Sequence, residues 1–336
     1  MPYYAPTPTQ GSILYDSRKP LPSANFFIPP SFSDTYAPSE STGTFGNVAG
    51  QKVGAPIYNG KKLVIVGNTN TGCWELDINT QILTLISNSQ TGFNGKIASD
   101  NNTAFCVAGT TGTVNAQNCS WYDYTSQTWY YNNLFSFSQL RYGGSLIYNN
   151  GYLYLLGGCI NSSGYGSDAQ SLLRLTASDY DLIDNTANRP PGWVSPWTAM
   201  AQPPAAIGVP YGCVSNDGSK IFVTGYLNTS NSATQCLFEY DIASDTWTDH
   251  NLTTGIYFSS IHTANNFLFG YNLNDSNAHY YDITNGLKYT VNVGTSGGGE
   301  MLYSEFDGSA YFLANSVSKG TYKINPFNFW GINYAA

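Results

Sequence analysis

Short apolar runs that begin soon after a polar turn recur six times along the chain. The turns contain Asn, Asp or Gly and lie at 59–60, 100–102, 149–151, 216–218, 265–266 and 307–308. The runs that follow them end at Gly or Asn, at 63–67, 104–109, 152–158, 221–225, 267–270 and 310–315. Because Asn-Gly and Asp-Gly pairs favour the tight turns of β-hairpins, the pattern predicts a hairpin at each of the six places.

A second pattern follows each hairpin in the same order. Alternating strands are predicted at 73–80, 119–126, 172–175, 236–242, 279–283 and 321–324. A polar turn and a strand with a large apolar residue come next, as at Trp129, Trp247 and Trp330. The turns that open the repeats are about 41 to 67 residues apart, and an insertion near 176–198 causes the longest interval. A β-sandwich would not repeat this turn chemistry in phase, so the pattern predicts an all-β fold, a six-bladed β-propeller of four-stranded antiparallel blades.

The third repeat resembles a kelch-type blade. Over residues 141–158 the second strand closes with the doublet Gly157-Gly158, as in kelch repeats, whereas the other repeats keep a single Gly or none. Kelch repeats also place a Tyr and a Trp further on, which this chain has at Tyr122 with Trp129 and at Tyr240 with Trp247. The resemblance covers about 47–336. It implies the propeller fold and little about activity, because propellers carry many functions.

Residues 1–46 differ from the repeats and are predicted to form an extended Pro-rich N-terminal arm, with the six-bladed kelch-like propeller over 47–336. Eight of the 16 prolines lie in this arm. Proline fixes φ and lacks an N–H, so such a segment cannot form a central strand or a helix. Phe26, Phe27 and Ile28 make the arm too apolar for a free linker. We therefore expect it to lie on a surface, either its own or a partner's.

Composition removes several classes of protein. Charged residues make up 10% of the chain and aromatic residues 15%, and the net charge is −8. Ordinary domains are about 25% charged. The small number of Glu and Lys residues argues against a helical bundle. The many aromatic residues argue against a disordered chain, and the negative net charge argues against nucleic-acid binding. No apolar run is long enough for a membrane span, and the N-terminus lacks the basic and apolar regions of a signal peptide.

Candidate residues for metal binding are few. His250, His262 and His279 fall on different predicted strands and show no ligand spacing. Galactose-oxidase-like enzymes use kelch-type propellers with copper held by His and Tyr, but this chain has no two His close in sequence. Six cysteines without a Cys-x-x-Cys pair argue against a zinc site. The sequence therefore predicts no metal and no cofactor.

Carboxylates are the other candidates for chemistry, since most glycosidases need two of them. Glu75 and Glu239 occupy equivalent positions of the repeat, so the repeat itself explains them. Glu300 and Glu305 fall in the first strand of the last repeat and could face the channel. One further set shares a repeat position just before a turn and is predicted to stabilise it, namely Asp77, Asp123, Asp241 and Asp282.

Two pairs of residues are singled out as candidate sites. Trp193 and Trp197 stand beside several prolines in the insertion, where they could form an exposed stacking platform for a sugar or a protein. The alternative is that one of them is the packed aromatic residue of its blade. Cys106 ends one strand and Cys119 begins the next, which suggests a disulfide across the hairpin, with buried free cysteines as the alternative.

The leading hypothesis for function is a non-enzymatic structural or binding protein of the virion surface, such as a spike, a capsid decoration or a host-receptor or glycan attachment protein. Low charge, no visible signal peptide and an apolar arm all favour an exterior setting of this kind, at the virion surface or extracellular. The arm would bind other virion or assembly proteins, with no nucleic acid and no membrane span. The alternatives are a secreted carbohydrate-active enzyme, glycosidase or galactose-oxidase-like, and an intracellular kelch-type adaptor.

Overall fold

The protein is described by a computed structural model in which β-strands account for almost all regular structure. The described residues are 35–36, 39–40, 52–67, 73–80, 82–87, 96–107, 110–111, 114–115, 119–132, 144–157, 170–179, 197–227, 235–251, 258, 260–264, 267–271, 277–284, 286–292, 299–304, 306, 309–314 and 321–324. Within this part of the chain no helix is long and apolar enough to cross a membrane.

Five four-stranded antiparallel sheets form the blades of a propeller, numbered here in chain order. Blade 1 contains β7 (Lys96–Ser99), β8 (Thr103–Val107), β11 (Cys119–Asp123) and β12 (Thr128–Asn132), with a small hairpin of β9 (Thr110–Thr111) and β10 (Val114–Asn115) before β11. Blade 2 contains β13 (Ser145–Asn149), β14 (Tyr152–Leu156), β15 (Leu172–Thr176) and β16 (Thr198–Ala199), and a 3-10 helix, Ala177–Asp179, follows β15.

The other blades repeat this order. Blade 3 contains β17 (Ile207–Val214), β18 (Lys220–Leu227), β19 (Gln235–Asp241) and β20 (Thr246–Asp249). Blade 4 contains β21 (Ser260–Ala264), β22 (Phe267–Tyr271), β23 (Asn277–Asp282) and β24 (Leu287–Asn292). Blade 5 contains β25 (Gly299–Ser304), β26 (Ser309–Ala314) and β27 (Thr321–Ile324), and its fourth strand is β1 (Thr35–Tyr36) from far earlier in the chain.

One sheet differs from the blades because it has five strands. It contains β3 (Lys52–Ile57), β4 (Lys62–Gly67), β5 (Cys73–Asp77), β6 (Ile82–Ser87) and β2 (Ser39–Glu40), and β2 runs parallel to β6. The first strands of all these sheets pack side by side in a closed ring in the order β3, β7, β13, β17, β21, β25 and back to β3. The five-stranded sheet therefore lies between blade 5 and blade 1.

The prediction of six four-stranded antiparallel blades is wrong. The structure has five such blades, and the remaining sheet carries a fifth, parallel strand. The extra strand comes from the segment predicted as an arm, because Ser39–Glu40 pairs with β6. Thr35–Tyr36, from the same segment, supplies the fourth strand of blade 5. An outer strand leaves unpaired N–H and C=O groups, and these four residues satisfy some of them. The rest of the predicted arm lies outside the described residues.

The apolar core lies between neighbouring sheets. Between blades 2 and 3, for example, Ile147 and Tyr154 pack with Val223, Phe238 and Tyr240, and all five side chains are buried. Trp247 packs against this cluster, as predicted for the aromatic residue of its blade, with its ring centroid 5.0 Å from that of Tyr240. At about 25 cal/mol per Å² of apolar surface removed from water, contacts of this kind hold the ring together. The side chain of Trp129, and Trp330 altogether, are outside the described residues.

The predicted turn chemistry is confirmed where it is described. Asn150 and Gly151 join β13 to β14 with φ of 47° and 83°, the left-handed conformation that an Asn-Gly hairpin turn requires. Each of the four repeat aspartates accepts a backbone hydrogen bond within its turn. The pairs are Thr80 N to Asp77, Thr125 N to Asp123, Ser244 N to Asp241 and Thr284 N to Asp282, all at 2.9 Å.

Candidate functional site

The first strands of the sheets enclose a narrow channel along the axis of the ring. Its cavity has a volume of about 220 Å³. Small residues such as Gly54, Ala98, Ser145, Gly212 and Ser260 supply much of its wall. Small side chains are needed here because six strands converge on one axis. A Cβ at Gly212, for example, would lie 2.4 Å from the Ile147 side chain.

A wider and more polar cavity opens at one end of this channel. Its volume is about 670 Å³. The turns between the first and second strands of several sheets meet there, so residues far apart in sequence share one wall. We call this cavity the channel mouth. The residues that line it are Pro56, Ile57, Asn59, Gly60, Ser99, Asp100, Asn101, Tyr148, Asn149, Asn150, Cys213, Val214, His262, Thr263, Tyr303 and Phe306.

Hairpin turns hold the amides of the channel mouth in place. Asn59 and Asn150 adopt left-handed φ values of 53° and 47°, which Asn tolerates better than most residues. Asn149 is buried, and its Nδ2 donates a 2.9 Å hydrogen bond to the carbonyl of Gly218 in the next blade. A Cβ on Gly218 would lie 2.8 Å from Nδ2 of Asn150. Blade 3 therefore packs tightly against both amides and restricts where they can move.

Aromatic rings form another part of the rim. Phe306 is 41% exposed although it lies beside the cavity. The ammonium group of Lys61 lies 5.4 Å from the ring centroid of Phe306 and 5.4 Å from that of Tyr58. Tyr58, also 41% exposed, stacks on Tyr124 at a centroid distance of 4.8 Å. Exposed rings of this kind offer flat apolar faces next to the polar amides.

The acid and the histidine of the channel mouth are already engaged. Oδ1 of Asp100 accepts hydrogen bonds from the backbone N–H groups of Asn102 and Thr103, at 2.8 and 2.7 Å. Nε2 of His262 lies 2.6 Å from the carbonyl oxygen of Met301. Burial lowers the pKa of His262 to about 4, against the opposing effect of that carbonyl. His262 is therefore neutral at pH 7, with Nε2 donating the hydrogen bond to the carbonyl.

The narrow channel has a different character from its mouth. The ammonium group of Lys96 lies 4.0 Å from the ring centroid of Tyr211, which is cation–π geometry. Cys213 lines both the channel and its mouth, and burial raises the pKa of its thiol far above the ordinary value. The thiol is therefore protonated at neutral pH and is not an activated nucleophile.

Side chains beside the channel mouth tie neighbouring sheets together. The hydroxyl of Ser99 in blade 1 donates to the carbonyl of Pro56 in the five-stranded sheet. Ser304 of blade 5 donates to the carbonyl of Gly60, at 2.6 Å, across the point where the chain's first and last sheets meet. Hydrogen bonds of this kind fix the spacing of the turns, so the shape of the cavity depends on closure of the whole ring.

The Glu75 carboxylate lies between sheets rather than in the channel. It is buried and pairs with Lys62 on the adjacent strand, and Oη of Tyr122 in blade 1 donates to it at 3.3 Å. Burial and the nearby carboxylate raise the pKa of the Tyr122 hydroxyl. Burial lowers the pKa of Lys62, but its hydrogen bond to Glu75 and the negative charge of Glu75 and its neighbours together outweigh that effect, so the net pKa is raised. The Glu75 side chain therefore links the five-stranded sheet to blade 1.

Glu239 occupies the same position in blade 3 and has the same kind of partners. Lys220 pairs with it from the adjacent strand, and Nε2 of His250 lies 2.9 Å from its Oε2. The predicted equivalence of Glu75 and Glu239 is thus seen in their surroundings. Glu300 is described only as a backbone position in β25, and Glu305 lies outside the described residues.

The three histidines do not come together. His250 pairs with Glu239, His262 lines the channel mouth, and His279 is buried with its ring centroid 6.2 Å from that of Phe258. Among the described side chains, no group of three or more His, Cys, Asp and Glu residues is placed to hold a metal ion.

The two predicted residue pairs have different outcomes. Trp197 is partly buried and packs against the cluster between blades 1 and 2, whereas Trp193 lies outside the described residues, so the stacking platform stays a prediction. In the backbone register Cys106 lies opposite Ser120 and Cys119 opposite Val107, an offset of one residue. The side chains of these two cysteines are not among those described, and their disulfide also stays a prediction.

The channel mouth is the site that the sequence analysis missed. Its signal was present, because the turns at 59–60, 100–102 and 149–151 occupy the same place in successive repeats. In a ring of repeats, equivalent turns lie at one end of the axis. Hairpin chemistry explains each polar turn locally and does not reveal that the turns converge on one cavity.

Comparison with known proteins supports the fold and goes no further. No protein-family model matches the chain, and no curated protein matches it in sequence. The solved structure of YjhT matches with a TM-score of 0.57 and 13% sequence identity, over 82% of this chain and 93% of that chain. At such low identity the likeness concerns the fold alone, and the kelch-type resemblance stays a prediction. The chain is thus an all-β propeller.

Proposed function

We propose that the protein is a non-enzymatic binding protein that uses the channel mouth for recognition. Its setting is the surface of a virion, or more generally the outside of an assembly, where it contacts a host receptor or glycan. The predicted Pro-rich arm attaches it to other virion proteins.

The chemistry of the channel mouth carries this proposal. Four asparagine residues and three aromatic rings line it, at Asn59, Asn101, Asn149 and Asn150 and at Tyr148, Tyr303 and Phe306. Its acid, Asp100, is used within a turn, and its histidine is neutral and bonded to a carbonyl. General acid–base catalysis needs a group that can exchange a proton near the working pH. Amides and rings instead suit recognition by hydrogen bonding and stacking.

The scarcity of charge supports the exterior setting. Only 10% of the residues are charged, and the ring of sheets does not require this, since a propeller can carry an ordinary charged surface. The described part of the predicted arm also supports an attachment role, because residues 35–36 and 39–40 pair with strands of two neighbouring sheets. The described residues of the arm therefore lie at the outer edge of the ring and not at the axis.

A secreted carbohydrate-active enzyme is the second candidate, because a polar cavity of this size could also hold a sugar as a substrate. Metal analysis and a screen with glycoside substrates separate the two. We expect no turnover and no stoichiometric copper. Turnover that disappears on substitution of a residue of the channel mouth would overturn the binding proposal.

Deletion of residues 1–34 tests the attachment role while leaving β1 and β2 in place. We expect the truncated protein to keep the melting temperature of the full chain but to be lost from purified particles of the source virus. The full chain, expressed in the same way, is the control. Absence of the full chain from such particles, or undiminished incorporation of the truncated protein, would contradict the proposal.

A further inference from the structure

We infer that the channel mouth binds an uncharged mono- or disaccharide. This inference rests on the proposed function and specifies the ligand class for the same site. The cavity volume of about 670 Å³ falls within the range of about 300–1,000 Å³ that is typical of small-molecule sites.

The amides match the hydroxyl groups of a sugar. A primary amide carries two donors and an acceptor oxygen, and each sugar hydroxyl can both donate and accept. Asn59 and Asn150 come from turns of different sheets and are both exposed at the cavity. A ligand between them would thus be held from two sides. The left-handed turns hold the backbone of both residues, and Gly218 packs against the Asn150 side chain, which reduces the entropy lost when a ligand is ordered.

The rings match the other surface of a sugar. A pyranose presents C–H groups on its faces and hydroxyls around its edge. Phe306, 41% exposed at the rim, offers a flat apolar face beside the amides. Thr263 and Tyr303 line the same cavity. A ligand with one apolar face and a polar edge would therefore contact the Phe306 ring with its face and the amides with its edge. Aromatic side chains commonly provide such apolar surface at binding interfaces.

The electrostatics favour a neutral ligand over an acidic one. A carboxylate buried in a cavity needs a paired cation or several donors. His262 is neutral at pH 7 because burial lowers its pKa to about 4. Asp100 places negative charge at the cavity wall and would repel an anion. No Lys or Arg is among the described residues that line the cavity, and Lys61 at the rim is positioned over the rings of Tyr58 and Phe306.

Binding of named probes to the full chain tests the inference. Galactose, glucose, N-acetylglucosamine and lactose serve as neutral probes, and N-acetylneuraminic acid as the charged one. Saturation-transfer NMR detects weak binding, and calorimetry ranks the affinities. We expect at least one neutral probe to bind and to outcompete the acid. No binding by any neutral probe, or tighter binding by the acid, would overturn the inference.

Variants that keep the backbone conformation locate the binding. Asn59→Gly and Asn150→Gly remove one amide each, and glycine adopts the same positive φ without strain. We expect each to weaken binding of the neutral probe about tenfold. Asn251→Gly is the matched control, because Asn251 has a φ of 49° at an exposed position after β20 and does not line the cavity. Equal affinity in all three variants and the wild type would place the sugar elsewhere and refute the site.

The results distinguish this inference from the proposed function. Sugar binding at the channel mouth by a protein that is absent from virions would leave the ligand class standing and refute the virion role. A protein that is lost from particles after deletion of residues 1–34 but binds no neutral sugar would support the virion role and refute the ligand class.

Discussion

Acidification should destabilise the protein through His262, and the size of the effect follows from its surroundings. The ring lies between Phe269 and Tyr303, at centroid distances of 5.8 and 6.4 Å, and its Nε2 contacts the Met301 carbonyl. Burial lowers the pKa from 6.5 to about 4. Between these two values the unfolded chain binds a proton that the native state does not, so stability falls as the pH falls.

At pH 4.5 the expected loss from this one residue is about 2.5 kcal/mol relative to pH 7.5. His262→Gln is the comparison variant, since its amide keeps a donor near the carbonyl of Met301 but does not titrate. Urea unfolding at both pH values should show the wild type losing about 2.5 kcal/mol more than the variant. Carboxylates titrate in both proteins, so their contribution cancels in this comparison.

An NMR titration of the His262 ring gives a second, independent measurement. We expect the ring protons to keep their neutral chemical shift down to about pH 5. A midpoint near 6.5 would refute the burial argument. So would equal pH dependence of unfolding in the wild type and the glutamine variant.

Three further predictions concern packing, the links between sheets and the cysteines. Gly270→Ala would place a Cβ 2.0 Å from the Ser260 carbonyl oxygen, so it should cost about 3 kcal/mol or more in chemical denaturation. In Gly151→Ala the added Cβ would have no neighbour within 4 Å, although the residue has a φ of 83°, so this substitution should cost only about 1 kcal/mol. Equal losses of stability in the two variants would contradict the packing argument. Tyr122→Phe removes a hydrogen bond to a buried carboxylate of the neighbouring sheet and should cost about 1 kcal/mol, whereas an unchanged unfolding midpoint would show that the link contributes nothing. Peptide mapping without reduction tests the disulfide predicted between Cys106 and Cys119: a joined peptide would confirm it, and two free thiols would rule it out.

Local sequence chemistry was enough to predict the hairpins and the strand order within a repeat. The turn at Asn150-Gly151 could be predicted because few residues tolerate two consecutive positive φ values. The role of Asp241 could be predicted in the same way, because a carboxylate before a turn bonds backbone N–H groups a few residues on. Such effects act over a few residues and leave a mark at each place in the sequence.

The ends of the sheets could not be predicted from local chemistry. Thr35–Tyr36 and Ser39–Glu40 have no strand-like pattern of their own in a Pro-rich segment, yet they pair with β27 and β6. An outer strand accepts any backbone that can offer N–H and C=O groups. Side chains therefore specify such pairing weakly. This is why the sequence predicted six four-stranded blades, whereas the structure has five of that kind beside a five-stranded sheet.

The sequence by itself determined the all-β class, the repeat and the turns, because these depend on φ preferences and on the alternation of side chains along a strand. Only the tertiary structure decided that Asn59, Asn150 and Phe306 share one cavity and that Glu75 links two sheets. The reason is that closing the ring brings together residues as far apart as Gly60 and Ser304, which are separated by 244 positions. Contacts over such distances depend on the assembled curvature of all the sheets, which no short stretch of sequence encodes.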